Sequence, residues 1–122
     1  MIKRFDRLDV ATSDLADAAG IYARNFGFAV RREADSDDAI VTVGDAEIRL
    51  RSGTRAAEII AANGEGLAAV WLEADNVDEV GAAFDRAGLA HQPVRVEDGR
   101  RILEVDPRVA NMVPLFIFDR RK

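Results

Sequence analysis

Cysteine is absent from the 122 residues of the chain, and histidine occurs once, as His91. Without cysteine the chain has no disulfide, no thiolate metal site and no cysteine nucleophile. A single histidine also excludes any site that needs two imidazoles from the same chain. Hydrophobic runs are short, and none approaches the roughly 20 residues of a membrane-spanning helix.

Positive charge is in deficit, because 17 Lys and Arg stand against 22 Asp and Glu and give a formal net charge of -5. This balance disfavours sequence-independent binding to nucleic acid or to an anionic membrane surface, so we expect neither as a partner. The segment from Met1 to Arg4 leads into charged residues without the apolar core of a signal peptide. We therefore expect a cytoplasmic protein.

The rest of the composition is that of an ordinary globular protein, with 48% hydrophobic and 32% charged residues. A chain of this length is typical of a single domain and is long enough to bury a core without disulfides or metal ions. We therefore predict one domain over residues 1–122.

The middle of the sequence repeats its beginning. The segments Ser13–Arg24 and Asp75–Arg86 align without a gap, and each has apolar residues at helical spacing. Each has an N-cap residue type near its start, Asp14 or Asn76, and a glycine follows each within three residues. Such a glycine favours the left-handed end of a helix. Both segments are therefore predicted helices.

Alternating, strand-like runs surround both predicted helices. One run precedes each helix, at Arg7–Thr12 and Ala69–Ala74. Three follow each helix, and these are Phe28–Glu33, Ala39–Val43, Glu47–Arg51, Gln92–Glu97, Arg101–Val105 and Val113–Phe118. The pattern is β-α-β-β-β written twice. It predicts an α+β fold of two βαβββ modules forming one domain, with a concave mixed β-sheet cleft.

The modules are predicted at about residues 4–52 and about 67–119. A linker of about residues 53–66 joins them and contains the short apolar stretch Ala56–Ala62, which we expect to form one short helix.

This order of elements resembles the vicinal oxygen chelate superfamily, which includes glyoxalase I, bleomycin-resistance proteins, extradiol dioxygenases and methylmalonyl-CoA epimerase. The two helix starts, Val10–Leu15 and Glu73–Asp78, carry the resemblance together with Tyr22–Phe28. The last of these is similar to the family's aromatic-x-x-x-leucine-glycine-phenylalanine helix end, with Phe26 in place of leucine. The resemblance covers nearly the whole chain.

In metal-dependent members of that superfamily, four ligands lie on the first and last strands of each module, usually His or Gln and then Glu. The resemblance places Arg7, Arg49, Ala69 and Phe116 at these positions. Two guanidinium groups, a methyl group and a phenyl ring do not bind a divalent ion, so we predict no metal and no cofactor. A two-residue slip of the strand register would place Glu47 at one of these positions. The positive charge of Arg7 would still occupy another.

Strand alternation assigns the neighbouring side chains to faces, because every second residue of a strand points the same way. If Arg7 and Ala69 face the cleft, their strand neighbours two and four residues along face it too. We therefore predict a cleft for a planar or amphipathic organic molecule. The candidate ligand-binding residues are Arg7, Asp9, Arg49, Trp71, Glu73 and Phe116. The alternative for the charged members is that they pair with one another.

Two main functions follow from this cleft. The leading one is a metal-independent small-molecule-binding protein of the glyoxalase/bleomycin-resistance type, which sequesters an organic ligand. The acidic balance suits a cationic ligand, whereas Arg7 and Arg49 favour an anionic one. The alternative is an isomerase or lyase acting next to a carbonyl, with Glu73 or Asp9 as the base. A third possibility is an interaction scaffold. The resemblance also implies a homodimer, since grooves of this family are commonly completed by a second chain.

Overall fold

The structure, a computed structural model, describes residues 1–32, 36–110 and 112–120. Within these residues the chain forms eight strands, three α-helices and one short 3₁₀ helix, Pro107–Ala110. The strands are β1 (Ile2–Ala11), β2 (Ala29–Arg32), β3 (Asp38–Val43), β4 (Ala46–Arg51), β5 (Gly66–Ala74), β6 (Arg95–Glu97), β7 (Arg100–Val105) and β8 (Leu115–Asp119). The helices are α1 (Leu15–Phe26), α2 (Gly53–Asn63) and α3 (Val77–Ala87).

The chain divides into two compact units. The N-terminal unit is Arg7–Ala68, and the C-terminal unit combines Ala69–Lys122 with Met1–Asp6. Strand β1 therefore contributes its first residues to one unit and its last residues to the other. The predicted order βαβββ is confirmed in both halves, and so is the α+β class. That the chain is a single domain over residues 1–122 stays a prediction.

The N-terminal unit is built on the strands β2-β3-β4-β1, in that order. Strands β2, β3 and β4 are antiparallel neighbours, and β1 runs parallel to β4 with Asp9 opposite Arg49. Helix α1 covers one face of these strands. Its buried core consists of Leu15, Ala39, Val41 and Leu50. On β4, Leu50 stands between Arg49 and Arg51, so the face opposite α1 carries charged side chains, together with the buried Ile40 of β3.

The C-terminal unit orders its strands β1-β5-β8-β7-β6. Strand β8 runs parallel to β5 and antiparallel to β7, and Trp71 lies opposite Phe116 in the β5–β8 register. Helix α3 packs on one face of this sheet. The core beneath it is Ala74, Val77, Val80, Leu103, Val105 and Ile117. The register of the last strand, which the sequence left open, is thereby fixed.

Both repeated helices begin and end as their sequences predict. The Asp14 carboxylate accepts a hydrogen bond from the Asp17 backbone N–H at 3.0 Å, and the Asn76 side chain accepts one from Asp78 at 2.9 Å. These bonds satisfy donors that the first helical turn leaves free. At the other ends, Gly27 and Gly88 have φ of 69° and 71°, the left-handed conformation that glycine adopts without steric cost.

Some element bounds differ from the predicted ones. Strand β6 starts at Arg95 rather than Gln92, and β8 starts at Leu115 rather than Val113. Proline accounts for both shortenings, because Pro93 and Pro114 have no backbone N–H to donate to a ladder. The predicted end of the second strand, Glu33, lies outside the described residues, and β2 is described up to Arg32.

Within the described ranges no helix is both long and apolar enough to cross a membrane.

Candidate functional site

The face of the N-terminal unit opposite α1 carries a network of arginines and aspartates. Arg7 Nε lies 3.1 Å from Asp9 Oδ1 on the same strand, and Arg51 Nη1 lies 3.7 Å from Asp9 Oδ2. Asp9 is only 3% exposed. A nearly buried carboxylate requires such partners, because an unpaired charge is costly to remove from water.

A second aspartate, Asp38, extends the network. Its Oδ2 accepts a hydrogen bond from Arg49 Nη1 at 3.1 Å and lies 3.8 Å from Arg51 Nε. Arg51 therefore bridges Asp9 and Asp38. We call Arg7, Asp9, Asp38, Arg49 and Arg51 the arginine–aspartate network. Sequence reasoning missed Asp38, which ends a run of acidic residues typical of a solvated turn, although it lies opposite Arg51 in the β3–β4 register.

The network bears on the alternative that the charged candidate residues pair with one another. Its three guanidinium groups have carboxylate partners within the same unit, as expected if the charged residues pair with one another. Direct contact of Arg7, Asp9 or Arg49 with a ligand stays a prediction.

The corresponding face of the C-terminal unit is aromatic. Trp71 stacks on Phe116 with ring centroids 4.5 Å apart and planes 15° apart. Phe118 meets the same indole edge-on at 6.2 Å. Trp71 is 7% exposed and Phe118 is fully buried. Stacked and edge-to-face pairs contribute beyond their buried area, so this aromatic cluster (Trp71, Phe116 and Phe118) is held rigidly.

Guanidinium groups from the described part of the chain lie over the aromatic cluster. The Arg100 Cζ atom lies 5.1 Å from the ring centroids of both Trp71 and Phe118. Arg95 and Arg120 lie over Phe116 and Phe118, at 5.8 Å and 5.4 Å. These distances are within the range of cation–π attraction. Sequence reasoning missed these arginines, although period-two alternation along β7 places Arg100 on the same face as Ile102, a neighbour of Trp71 in the core.

Glu73, one of the two candidate bases, lies beside this cluster. It is 8% exposed, and its carboxylate lies 3.2 Å from Arg4 Nε and 3.7 Å from Arg120 Nε. Glu73 and Asp9 therefore each have two arginine partners. Transfer of a proton to either carboxylate would weaken both of its ion pairs.

The N-terminal unit also has two cavities, of about 340 and 490 Å³. Neither is lined by any of the six predicted ligand-binding residues. Glu65 lines the larger one, and it accepts hydrogen bonds from the Ser13 backbone N–H at 2.8 Å and from the Ser13 hydroxyl at 3.0 Å. These bonds lower the pKa of Glu65 below its usual value. The carboxylate thus joins the end of the linker to the start of α1.

Residues 4–104 match the family described as the Glyoxalase/Bleomycin resistance protein/Dioxygenase superfamily. The chain belongs to this superfamily. The match confirms the resemblance drawn from the repeated helices. Comparison with curated proteins finds no match.

Several solved structures share the fold of this superfamily member. Methylmalonyl-CoA epimerase from Mycobacterium tuberculosis has a TM-score of 0.74 and 18% identity, covering 99% of this chain and 90% of that one. A hypothetical protein from Bacillus halodurans has a TM-score of 0.75 and 17% identity, covering 98% and 95%. A variant of Streptomyces coelicolor methylmalonyl-CoA epimerase in complex with 2-nitronate-propionyl-CoA has a TM-score of 0.73 and 20% identity, covering 98% and 95%. Identities this low establish the fold alone.

The metal site of this superfamily does not fit the residues present. Arg7 and Arg49, at two of its ligand positions, are cations already paired with Asp9 and Asp38. At the other two, Ala69 has no donor atom and the Phe116 ring stacks on Trp71. Divalent ions need oxygen, nitrogen or sulfur ligands that converge, and these four side chains supply none. Elsewhere in the described part of the chain, no group of three or more His, Asp or Glu side chains is placed to hold an ion.

The structure therefore separates the six predicted ligand-binding residues into two groups. Arg7, Asp9 and Arg49 belong to the arginine–aspartate network of the N-terminal unit. Trp71, Glu73 and Phe116 lie together on the C-terminal unit, in and beside the aromatic cluster.

Proposed function

We propose that the protein is a metal-independent small-molecule-binding member of the glyoxalase/bleomycin-resistance type, which sequesters an organic ligand. The observation that carries the proposal is the residue set at the four family ligand positions. Arg7, Arg49, Ala69 and Phe116 offer no metal ligand, and three of them already contact Asp9, Asp38 or Trp71. A member of this family without metal ligands retains its capacity to bind organic molecules, since binding needs only a shaped surface with apolar and polar groups.

The aromatic cluster is the better candidate for the ligand surface. In the arginine–aspartate network, charges of opposite sign already neutralise one another, and a ligand would have to displace these pairs. In the aromatic cluster, Phe116 is partly exposed and stacks on Trp71, with the Arg95 guanidinium over its ring. Aromatic surface bordered by polar groups is typical of small-molecule sites.

The alternative is an isomerase or lyase that acts next to a carbonyl with Glu73 or Asp9 as base. The similarity in fold to methylmalonyl-CoA epimerases, one of them bound to methylmalonyl-CoA, favours it. The ion pairs of both carboxylates disfavour it, because a general base must be able to accept a proton during turnover.

Homodimer formation and a cytoplasmic location stay predictions. The apolar last strand gives no argument for a dimer contact, because β8 lies between β5 and β7 with Ile117 and Phe118 buried. The dimer is tested by light scattering against the chain mass of 13.3 kDa.

The proposal is tested on the purified protein by its metal content and by thermal-shift measurements. Divalent nickel, zinc and cobalt should change the melting temperature by less than about 1 °C, since the described residues form no group that could hold them. A panel of aromatic antibiotics and acyl-CoA compounds should contain a stabilising ligand. A compound present at one hundred times its Kd stabilises the native state by about 2.7 kcal/mol.

Two matched variants locate the site. Phe116→Leu should weaken binding of the stabilising compound, because it removes the exposed ring of the aromatic cluster. Phe26→Leu makes the same chemical change on α1, where Phe26 is 63% exposed, and should leave binding unchanged. Weakening by Phe26→Leu alone would instead place the ligand in the larger cavity, which Phe26 lines.

Stoichiometric metal, or strong stabilisation by a divalent ion, would contradict the proposal. So would turnover. In deuterated water, methylmalonyl-CoA incubated with the protein should exchange its α-proton no faster than in buffer alone. Exchange that disappears in Glu73→Gln would establish the epimerase-like alternative.

A further inference from the structure

Arg100 differs from the other two arginines around the aromatic cluster. Arg95 lies 3.2 Å from Glu97 and 3.0 Å from Glu104, and Arg120 lies 3.7 Å from Glu73. Arg100 has no ion pair or hydrogen bond to any side chain in the described ranges, and its contacts there are the rings of Trp71 and Phe118. One of the three positive charges over the cluster is thus left without a carboxylate.

The two rings orient the Arg100 guanidinium without neutralising it. Its Cζ atom is 5.1 Å from each ring centroid, and the rings are inclined to each other by 64°. The ring faces attract the cation but accept no strong hydrogen bonds, so its five N–H donors remain available to another acceptor. Because the side chain is half-buried and held between two rings, a ligand that binds it restricts little further motion.

We propose that Arg100 binds the anionic end of an organic ligand whose planar part contacts the exposed edge of the Phe116 ring. The inference rests on the proposed function and names its ligand class, an organic anion with a planar apolar part, such as an aromatic carboxylate or sulfonate. A guanidinium fork matches the two oxygens of such an anion. The Phe116 ring stacks against the Trp71 indole, so the apolar contact and the cation belong to one rigid cluster.

The charges around the cluster also select against the opposite ligand class. A cationic aromatic compound would approach Arg95, Arg100 and Arg120 together, and the Phe116 and Phe118 rings already have guanidinium groups over them. Like charges at such a site cost binding energy. The acidic net charge of the whole chain therefore does not set the charge of the ligand at this site.

The test compares two fluorescent probes on the full chain. Anilinonaphthalene sulfonate is an aromatic anion, and phenylnaphthylamine has the same rings without the sulfonate. Arg100→Gln should weaken the anionic probe about ten-fold, the loss expected for a charge-assisted hydrogen bond, and leave the neutral probe unchanged. Arg108→Gln is the matched control, because Arg108 lies in the 3₁₀ helix, pairs with Asp106 just before it and has a side chain that is 79% exposed. Arg108→Gln should leave the affinity for both probes unchanged.

Two further measurements test the inference even if Arg100→Gln folds poorly. These are the binding of both probes to Arg100→Lys and the salt dependence of binding to the wild type. Arg100→Lys keeps the charge without the fork and should retain part of the affinity. Added salt should weaken binding of the anionic probe alone. Equal losses for both probes, unchanged binding of the anionic probe in either variant, or no binding of it to the wild type would overturn the inference.

Failure of this inference differs from failure of the proposed function. A compound from the thermal-shift panel that binds wild type and Arg100→Gln equally would refute the role of Arg100 and leave the binding function standing. Stoichiometric metal or measured turnover would refute the binding function itself.

Discussion

At the scale of single residues, buried charged side chains hold elements of the fold together, and Asp119 is the clearest case. Its side chain is 1% exposed and accepts hydrogen bonds from the Val77 backbone N–H at 2.8 Å and from Arg101 at 2.6 and 3.0 Å. The carboxylate thus anchors the start of α3 to the end of β8. It also raises the pKa of Arg101. No local pattern marks this residue, because its partners lie far along the sequence.

His91, the only histidine, has a hydrogen-bond acceptor at each ring nitrogen. Nδ1 lies 2.7 Å from the Gln92 carbonyl oxygen, and Nε2 lies 2.8 Å from Asp85 Oδ1. Both contacts are satisfied together only when both nitrogens carry a proton. The Gln92 carbonyl and then the Asp85 carboxylate therefore raise the pKa of His91 above 6.5.

This raised pKa predicts a pH dependence of stability. The protonated ring stabilises the folded state fully below pH 6.5, and the stabilisation is lost as the pH rises through the folded-state pKa. His91→Gln should remove this dependence. Since Asp85 is largely exposed, the difference should stay below about 1 kcal/mol. Urea unfolding of both proteins from about pH 5 to about pH 9 measures it.

Asp85→Asn is the control, because it removes the carboxylate and leaves the Gln92 carbonyl in place, so it should shrink the dependence without abolishing it. A difference between wild type and His91→Gln that grew with rising pH would have the wrong sign for this geometry.

At the scale of elements, α1 offers two glycines with opposite requirements. Gly20 lies inside the helix, and an added Cβ would meet only the end of the flexible Arg24 side chain. Gly27 ends the helix at φ 69°, with open space around it. The same substitution should therefore act in opposite directions at the two positions.

Gly20→Ala should stabilise the protein by about 0.5–1 kcal/mol, the helix-propensity difference between the two residues. Gly27→Ala should destabilise it by about 1 kcal/mol or more, because alanine is strained in the left-handed region. Chemical denaturation of the two single variants measures both effects. Stabilisation by Gly27→Ala would show that the helix end is not held in the left-handed conformation.

At the scale of the whole molecule, the chain carries one natural probe in each unit. Trp71, the single tryptophan, lies in the C-terminal unit, and Tyr22, the single tyrosine, lies in the N-terminal unit. If residues 1–122 form one domain, Trp71 fluorescence and the Tyr22 ring NMR signals should follow the same urea transition. Strand β1 gives the physical reason, because its first residues belong to the C-terminal unit and its last residues to the N-terminal unit. Unfolding of either unit therefore disrupts a strand that continues into the other.

Two separate transitions would contradict the single-domain prediction. Trp71→Phe is the control for any contribution of the indole to stability, and its Tyr22 and backbone signals should follow one common transition, shifted from that of the wild type by the lost packing.

The sequence by itself determined the features that depend on neighbouring residues. Helical spacing with Asp14, Asn76, Gly27 and Gly88 determined the two helices and their ends, since capping and the left-handed stop involve only a few adjacent positions. Alternation determined which side chains share a strand face, and the repeat determined the βαβββ order.

Only the tertiary structure decided which charges neutralise one another. The partnership of Asp38 with Arg49, of Asp119 with Arg101, and of Arg100 with two rings all depend on strand register. A slip of one residue turns every side chain of a strand to the opposite face, and local sequence does not fix such a slip across a long connection. Arg95 and Arg100 are the same residue type on either side of one turn, and only packing left one of them without a carboxylate.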